Sequence, residues 1–93
     1  MTQTRSHHRP PVHPGEILRE EFLTPLGLSQ VKAAARMRMP AKRLNEIVCE
    51  RRGVTADSAL QLAKLTKTTP QFWLNLQNAV DLYHAQRRLR RTA

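Results

Sequence analysis

Apolar residues in this chain recur at three- and four-residue spacing in a series of short stretches, with no convincing two-residue alternation of a half-buried strand. Ile17, Leu18 and Phe22 form the apolar side of a first helix, predicted from about Pro14 to Leu23. Pro14 suits a first helical turn, Glu16 complements its positive end, and Pro25 with Gly27 is expected to stop it. Ser29 is a good N-cap for a second helix ending near Met37. Pro40 is read as the first residue of a third helix, running to about Val48 with Leu44, Ile47 and Val48 inward. Gly53 closes the next loop, and Thr55 caps a fourth helix carrying Ala59, Leu60, Leu62, Ala63 and Leu65. Thr69-Pro70 opens a fifth, able to continue through Arg90, with Phe72, Trp73, Leu76, Val80 and Tyr83 for core packing or a dimer seam. The expected fold is all-α, with about five helices and a long C-terminal one.

Within this pattern, Leu28 to Gly53 reads as two short helices joined by a tight turn and followed by a basic loop. That is the layout of a helix-turn-helix, whose second helix enters the DNA major groove. Ala34 can sit where the two backbones approach, with Ala33, Met37, Met39, Leu44 and Ile47 as the internal apolar set. Arg38 stands in the turn, where a non-glycine residue at positive φ costs about 1 kcal/mol; its guanidinium can reach a phosphate. Ala41, Lys42, Arg43, Asn45 and Glu46 point outward from the second helix. Arg and Lys can pair with guanine, Asn with adenine, and Glu can accept from cytosine. Gln30, near a helix N-terminus, suits a backbone phosphate, as do Arg51 and Arg52 in the loop. One basic helix alone would read as a solvated face. The spacing, the small residue, the polar face and the basic loop together point to DNA.

Charge strengthens this picture. The chain has 93 residues, 16 Lys/Arg against 7 Asp/Glu, and a formal net charge of +9, which points to a polyanionic partner. Arg5, Arg9, Arg87, Arg88, Arg90 and Arg91 lie on flanks without acids, and Lys32 to Arg52 holds seven basic residues against Glu46 and Glu50. Residues 1–12 are expected as a disordered basic arm, 13–86 as the DNA-binding domain with the helix-turn-helix at about 29–48, and 87–93 as a basic tail. A domain this small gains core by dimerising. Cys49 is the sole cysteine, so no intrachain disulfide forms and a reducing compartment fits. No apolar run reaches the roughly 18 residues of a membrane span, and the N-terminus lacks a secretory apolar region. A cytoplasmic, non-membrane protein is expected.

Three pieces, HPGEILREEFLTPLGLSQ (His13 to Gln30), RGVTADSALQLAKL (Arg52 to Leu65) and TPQFWLNLQNAVDL (Thr69 to Leu82), closely resemble the HigA/VapI-type antitoxins of the Xre/lambda-repressor-like helix-turn-helix group. The resemblance covers residues 13 to about 84. It implies a homodimeric bacterial antitoxin that neutralises a HigB-type ribonuclease toxin and represses its own operon through double-stranded operator DNA. By matching positions, Gln30, Ala41, Lys42, Arg43, Asn45 and Glu46 inherit the DNA-facing role, and Phe72 to Tyr83 a packing and dimer role. Family members commonly carry Gly where Arg38 stands and Asn-Gly where Cys49-Glu50 stands. A stand-alone repressor of the same fold is the alternative. Glu16 and Glu20, one turn apart beside Glu21, form either an ordinary solvated face or a contact for a basic toxin. His7, His8 and His13 lack further ligands at metal-site spacing, so no metal or other cofactor is expected. Nor do nucleophile and base residues assemble in any catalytic order, and an enzyme is not expected.

Overall fold

A computed structural model of the chain describes residues 10–92. Most of the expected N-terminal arm, His7 and His8 included, lies outside the described residues. Helix α1 covers residues 14–26: an α-helical turn at Pro14–Ile17, a π-helical stretch at Leu18–Leu23 and a last turn at Thr24–Leu26. His13 caps it, Nδ1 accepting the Gly15 N–H at 2.9 Å. The helix passes the expected stop at Leu23, and the π stretch supplies the reason. In a regular helix the Pro25 ring presses on the carbonyl four residues earlier. Here the ladder has already widened, with the Thr24 N–H donating to the Arg19 carbonyl five residues back. The chain stops at Gly27, the second of the two residues expected to end it, at φ 60°, where the Leu28 N–H closes onto Leu23 O at 2.9 Å.

Helix α2 is Gln30–Met37, its Ser29 hydroxyl accepting the Lys32 N–H at 3.2 Å. Arg38 ends it at φ 56°, and the Met39 N–H returns to Ala34 O at 3.0 Å. Helix α3 is Ala41–Val48. Pro40 is its N-cap and not its first helical residue, because the three-residue turn needs an extended ψ of 135° there to redirect the chain. Helix α4, Ala56–Thr66, opens with a capping box between Thr55 and Ser58. Helix α5, Pro70–Thr92, begins with the Phe72 N–H bound to Thr69 Oγ1 at 3.1 Å. The basic segment 87–92 continues α5, as the sequence allowed through Arg90.

One core joins the five helices. Leu18, Leu44, Ile47, Leu62 and Trp73 are fully buried, with Ala33, Ala34, Met37 and Met39 around them. The Trp73 ring packs on Phe22 at 5.7 Å and edge-on against Phe72 at 5.1 Å. Its N–H donates to Thr68 Oγ1 at 2.8 Å, which satisfies the one polar atom it brings inside. Past Val80, α5 leaves the core, and Leu82 and Leu89 are exposed. No helix among the described residues is long and apolar enough to cross a membrane.

Candidate nucleic-acid interface

Helices α2 and α3 pack through their small and apolar residues and leave one continuous polar edge outside. Ala33 and Ala34 are buried, so the α2 backbone approaches its neighbours closely. On the outer edge, Gln30 Oε1 accepts from Asn45 Nδ2 at 3.1 Å. This bond ties the first turn of α2 to the face of α3, and it fixes which way the Asn45 amide turns. Lys42 is exposed and Arg43 half-buried, and neither pairs with another described residue. Ala41 beside them is exposed and small, which leaves room for a surface to come near.

A second pair of the expected contact residues also engages each other. Glu46 Oε1 binds Arg52 Nε at 2.8 Å, which draws the loop arginine toward α3. Arg38 and Arg51 are exposed at the turn and in the loop. Gln30, Arg38, Ala41, Lys42, Arg43, Asn45, Glu46, Arg51 and Arg52 thus all lie on α2, α3 or the segments closing them. The first turn of α2 adds backbone N–H groups that favour an anion. The edge offers cations and amide donors, the chemistry of phosphate and base-edge contact.

Three residues behind this edge were not singled out from sequence. Gln61 Nε2 donates to Met37 O at 3.2 Å, bracing the α2–α3 turn from α4. Gln77 Oε1 on α5 accepts the Val54 N–H at 2.8 Å, and its Nε2 donates to Asp81 Oδ1 at 3.0 Å. Arg19 Nη1 on α1 donates to Val48 O, in the last turn of α3, at 2.9 Å. The backbone partners Met37, Val54 and Val48 lie 24, 23 and 29 positions away in the chain, where local pattern carries no signal. Nearby, burial holds the His13 imidazole below its ordinary pKa, against the pull of Glu50 and Asp81, while His84 pushes the same way as burial.

The remaining candidates divide. Glu16, Glu20 and Glu21 are exposed on α1, with Glu20 paired to Arg19 Nε at 3.1 Å. Trp73 and Val80 belong to the protomer's own core; Phe72 is exposed, and Leu76 and Tyr83 are half-buried on α5. No group of three His, Cys, Asp or Glu able to hold a metal occurs among the described residues.

No family model matches the chain. Virulence-associated protein I of Dichelobacter nodosus is 51% identical over 77 residues, spanning 83% of this chain and 71% of that protein. Antitoxin HigA-1 of Vibrio cholerae is 38% identical over 90 residues, spanning 96% and 84% respectively. Among solved structures, the Pseudomonas aeruginosa antitoxin HigA with the higBA promoter superposes with a TM-score of 0.78 at 44% identity, covering 81% of this chain and 82% of that one.

Proposed function

The chain belongs to the HigA/VapI-type family of helix-turn-helix antitoxins, and from that premise we propose that it works in the bacterial cytoplasm as a homodimer that represses its own operon and neutralises a HigB-type ribonuclease toxin. Its role is binding, not catalysis. The observation that carries the DNA-binding half is the Gln30–Asn45 bond, which pre-sets an amide on the outer face of α3 beside the uncommitted Lys42 and Arg43. On this reading α3 enters the major groove. Lys42 and Arg43 reach guanine edges, Asn45 reads adenine with its orientation set by Gln30, and Ala41 permits close approach. Glu46 accepts from a cytosine amino group as Arg52 turns from it to a phosphate. Gln30, Arg38 and Arg51 hold the backbone on either side.

Two copies joined along α5 through Phe72, Leu76 and Tyr83 would set two α3 helices in successive major grooves roughly 34 Å apart. The acidic face of Glu16 and Glu20 on α1 suits a basic toxin. The test is to co-express the chain with its neighbouring reading frame, purify by one partner, and probe the eluate on the upstream DNA. A stable complex that shifts that DNA supports the whole reading. DNA binding without a partner leaves a stand-alone repressor. No binding at physiological salt, despite the +9 charge, overturns the DNA-binding half.

A further inference from the structure

We infer that Arg19, on the first helix, is a positioning residue for DNA recognition: its guanidinium fixes the C-terminal end of α3 and, through it, the basic loop that carries Arg51 and Arg52. The inference rests on the DNA-binding reading above. It starts from the four carbonyls that any helix leaves unbonded at its C-terminus. In α3, Asn45 O accepts from the Cys49 N–H at 2.9 Å, Glu46 O from the Arg51 N–H at 2.8 Å, and Ile47 O from the Glu50 N–H at 3.0 Å. Val48 O takes its hydrogen bond from another helix, from Arg19 Nη1 at 2.9 Å.

Three features make this bond a clamp. The guanidinium is cationic and sits where the negative end of the helix dipole lies. Its second amino nitrogen lies 3.9 Å from the carboxylate of Glu50, the residue that turns the chain out of α3 at φ 62°. Glu20 meanwhile holds its Nε at 3.1 Å, so each nitrogen of the fork faces an acceptor. The helix that carries Arg19 is itself pressed against α3, since a Cβ at Gly15 would collide with Ile47 O. Arg19 therefore acts at the opposite end of α3 from Lys42 and Arg43. It orders the segment between Glu46 and Arg52, whose side chains pair with each other.

The test uses the full chain with Arg19→Met, which keeps the apolar stem and removes the donors, and with Arg19→Lys, which keeps the charge. Binding is measured on the duplex upstream of its reading frame and on a scrambled duplex, across a salt series. Amide exchange is followed in the DNA-free protein. Arg19→Met is expected to weaken the upstream duplex about tenfold, as loss of a charge-assisted hydrogen bond would. Because Arg51 and Arg52 meet phosphates, the scrambled duplex should weaken as well and the salt slope should flatten, and amides 49–52 should exchange faster. Arg19→Lys should recover part of each effect, and it carries the test alone if Arg19→Met does not fold. The same losses with exchange at 49–52 unchanged in the DNA-free protein would make Arg19 itself a phosphate ligand and overturn the inference. Unchanged exchange at 49–52, or a lowered melting temperature with unaltered upstream affinity, would overturn it too. A wild-type chain with no preference for the upstream duplex would instead refute the DNA-binding reading, and exchange alone would then judge the clamp.

Discussion

Four helix C-termini close in the left-handed region, at Gly27, Arg38, Glu50 and Lys67 with φ of 60, 56, 62 and 58°, and three of the four carry a Cβ there. Each such residue costs about 1 kcal/mol relative to glycine. Arg38 and Glu50 border the edge proposed to face DNA, so replacing them mixes stability with binding; Lys67 does not. Lys67→Gly is expected to stabilise the fold by about 0.5–1 kcal/mol, less than the full strain because glycine also widens the unfolded ensemble. A raised urea midpoint at constant slope would show it. Gly15 is the converse case, needed for lack of a side chain and not for its φ. A Cβ there meets the Ile47 carbonyl, and neither backbone can yield cheaply. Gly15→Ala should cost about 2–3 kcal/mol in the same assay. Beside it, His13 must stay unprotonated at Nδ1 to accept the Gly15 N–H. Burial, the largest cause, lowers its pKa below 6.5 in the folded state. As pH falls, the unfolded chain binds that proton first, so stability is complete above the unfolded value and declines on the way down to the lowered folded one. His13→Asn keeps an acceptor without titrating, and should flatten the fall in melting temperature as pH drops through and below 6.5.

At the scale of helices, starts were easier to read than ends or braces. Ser29, Thr55 and Thr69 each bond an N–H three residues on, a local signal that amino-acid type and position reveal. The end of α1 was placed near Leu23, one turn early, because Pro25 reads as a stop, whereas a π stretch with Leu18 and Leu23 buried at its ends carries the helix on to Gly27. The helix-turn-helix was legible down to the strained turn residue Arg38, since composition and spacing carry it. Its support was not: Arg19, Gln61 and Gln77 reach backbone groups 29, 24 and 23 positions away. Trp73 illustrates the same limit. Sequence allowed core or dimer seam, and only the fold shows the ring fully buried in its own protomer. Gln77 ties the loop after α3 to α5 through the buried Val54, so Gln77→Ala strands that N–H. It is expected to cost about 1–2 kcal/mol and to speed amide exchange at Val54 while leaving the start of α3 protected. Unaltered exchange at Val54 would mean the loop holds itself.

For the whole molecule, charge is divided by region more than by amount. Helix α5, 23 residues long, reaches about 34 Å at the rise of an α-helix, most of the 45 Å long axis of the protein. Its first half lies in the core and its last turns carry Arg87, Arg88, Arg90 and Arg91, all exposed. The α2–α3 edge supplies a second cationic region, and α1 bears the exposed acids Glu16, Glu20 and Glu21. The two cationic regions should therefore be separable in their effect on DNA. A charge at a helix end meets phosphates without reading bases, so it adds affinity to every sequence and steepens salt dependence by about 0.9 per phosphate neutralised. On the proposed reading Arg43 on α3 meets a base, so its loss should fall on the upstream duplex. Removing residues 87–93 is expected to weaken scrambled and upstream duplexes alike and to flatten the salt slope, with the ratio between them kept. Arg43→Ala should do the reverse, costing about 1–3 kcal/mol on the upstream duplex and little on the scrambled one. Fluorescence anisotropy at three or more salt concentrations reads both quantities at once. If the truncation abolished the preference instead, α5 would be reporting on dimer geometry, and its distal turns would belong to the seam that sets the spacing of the two α3 helices.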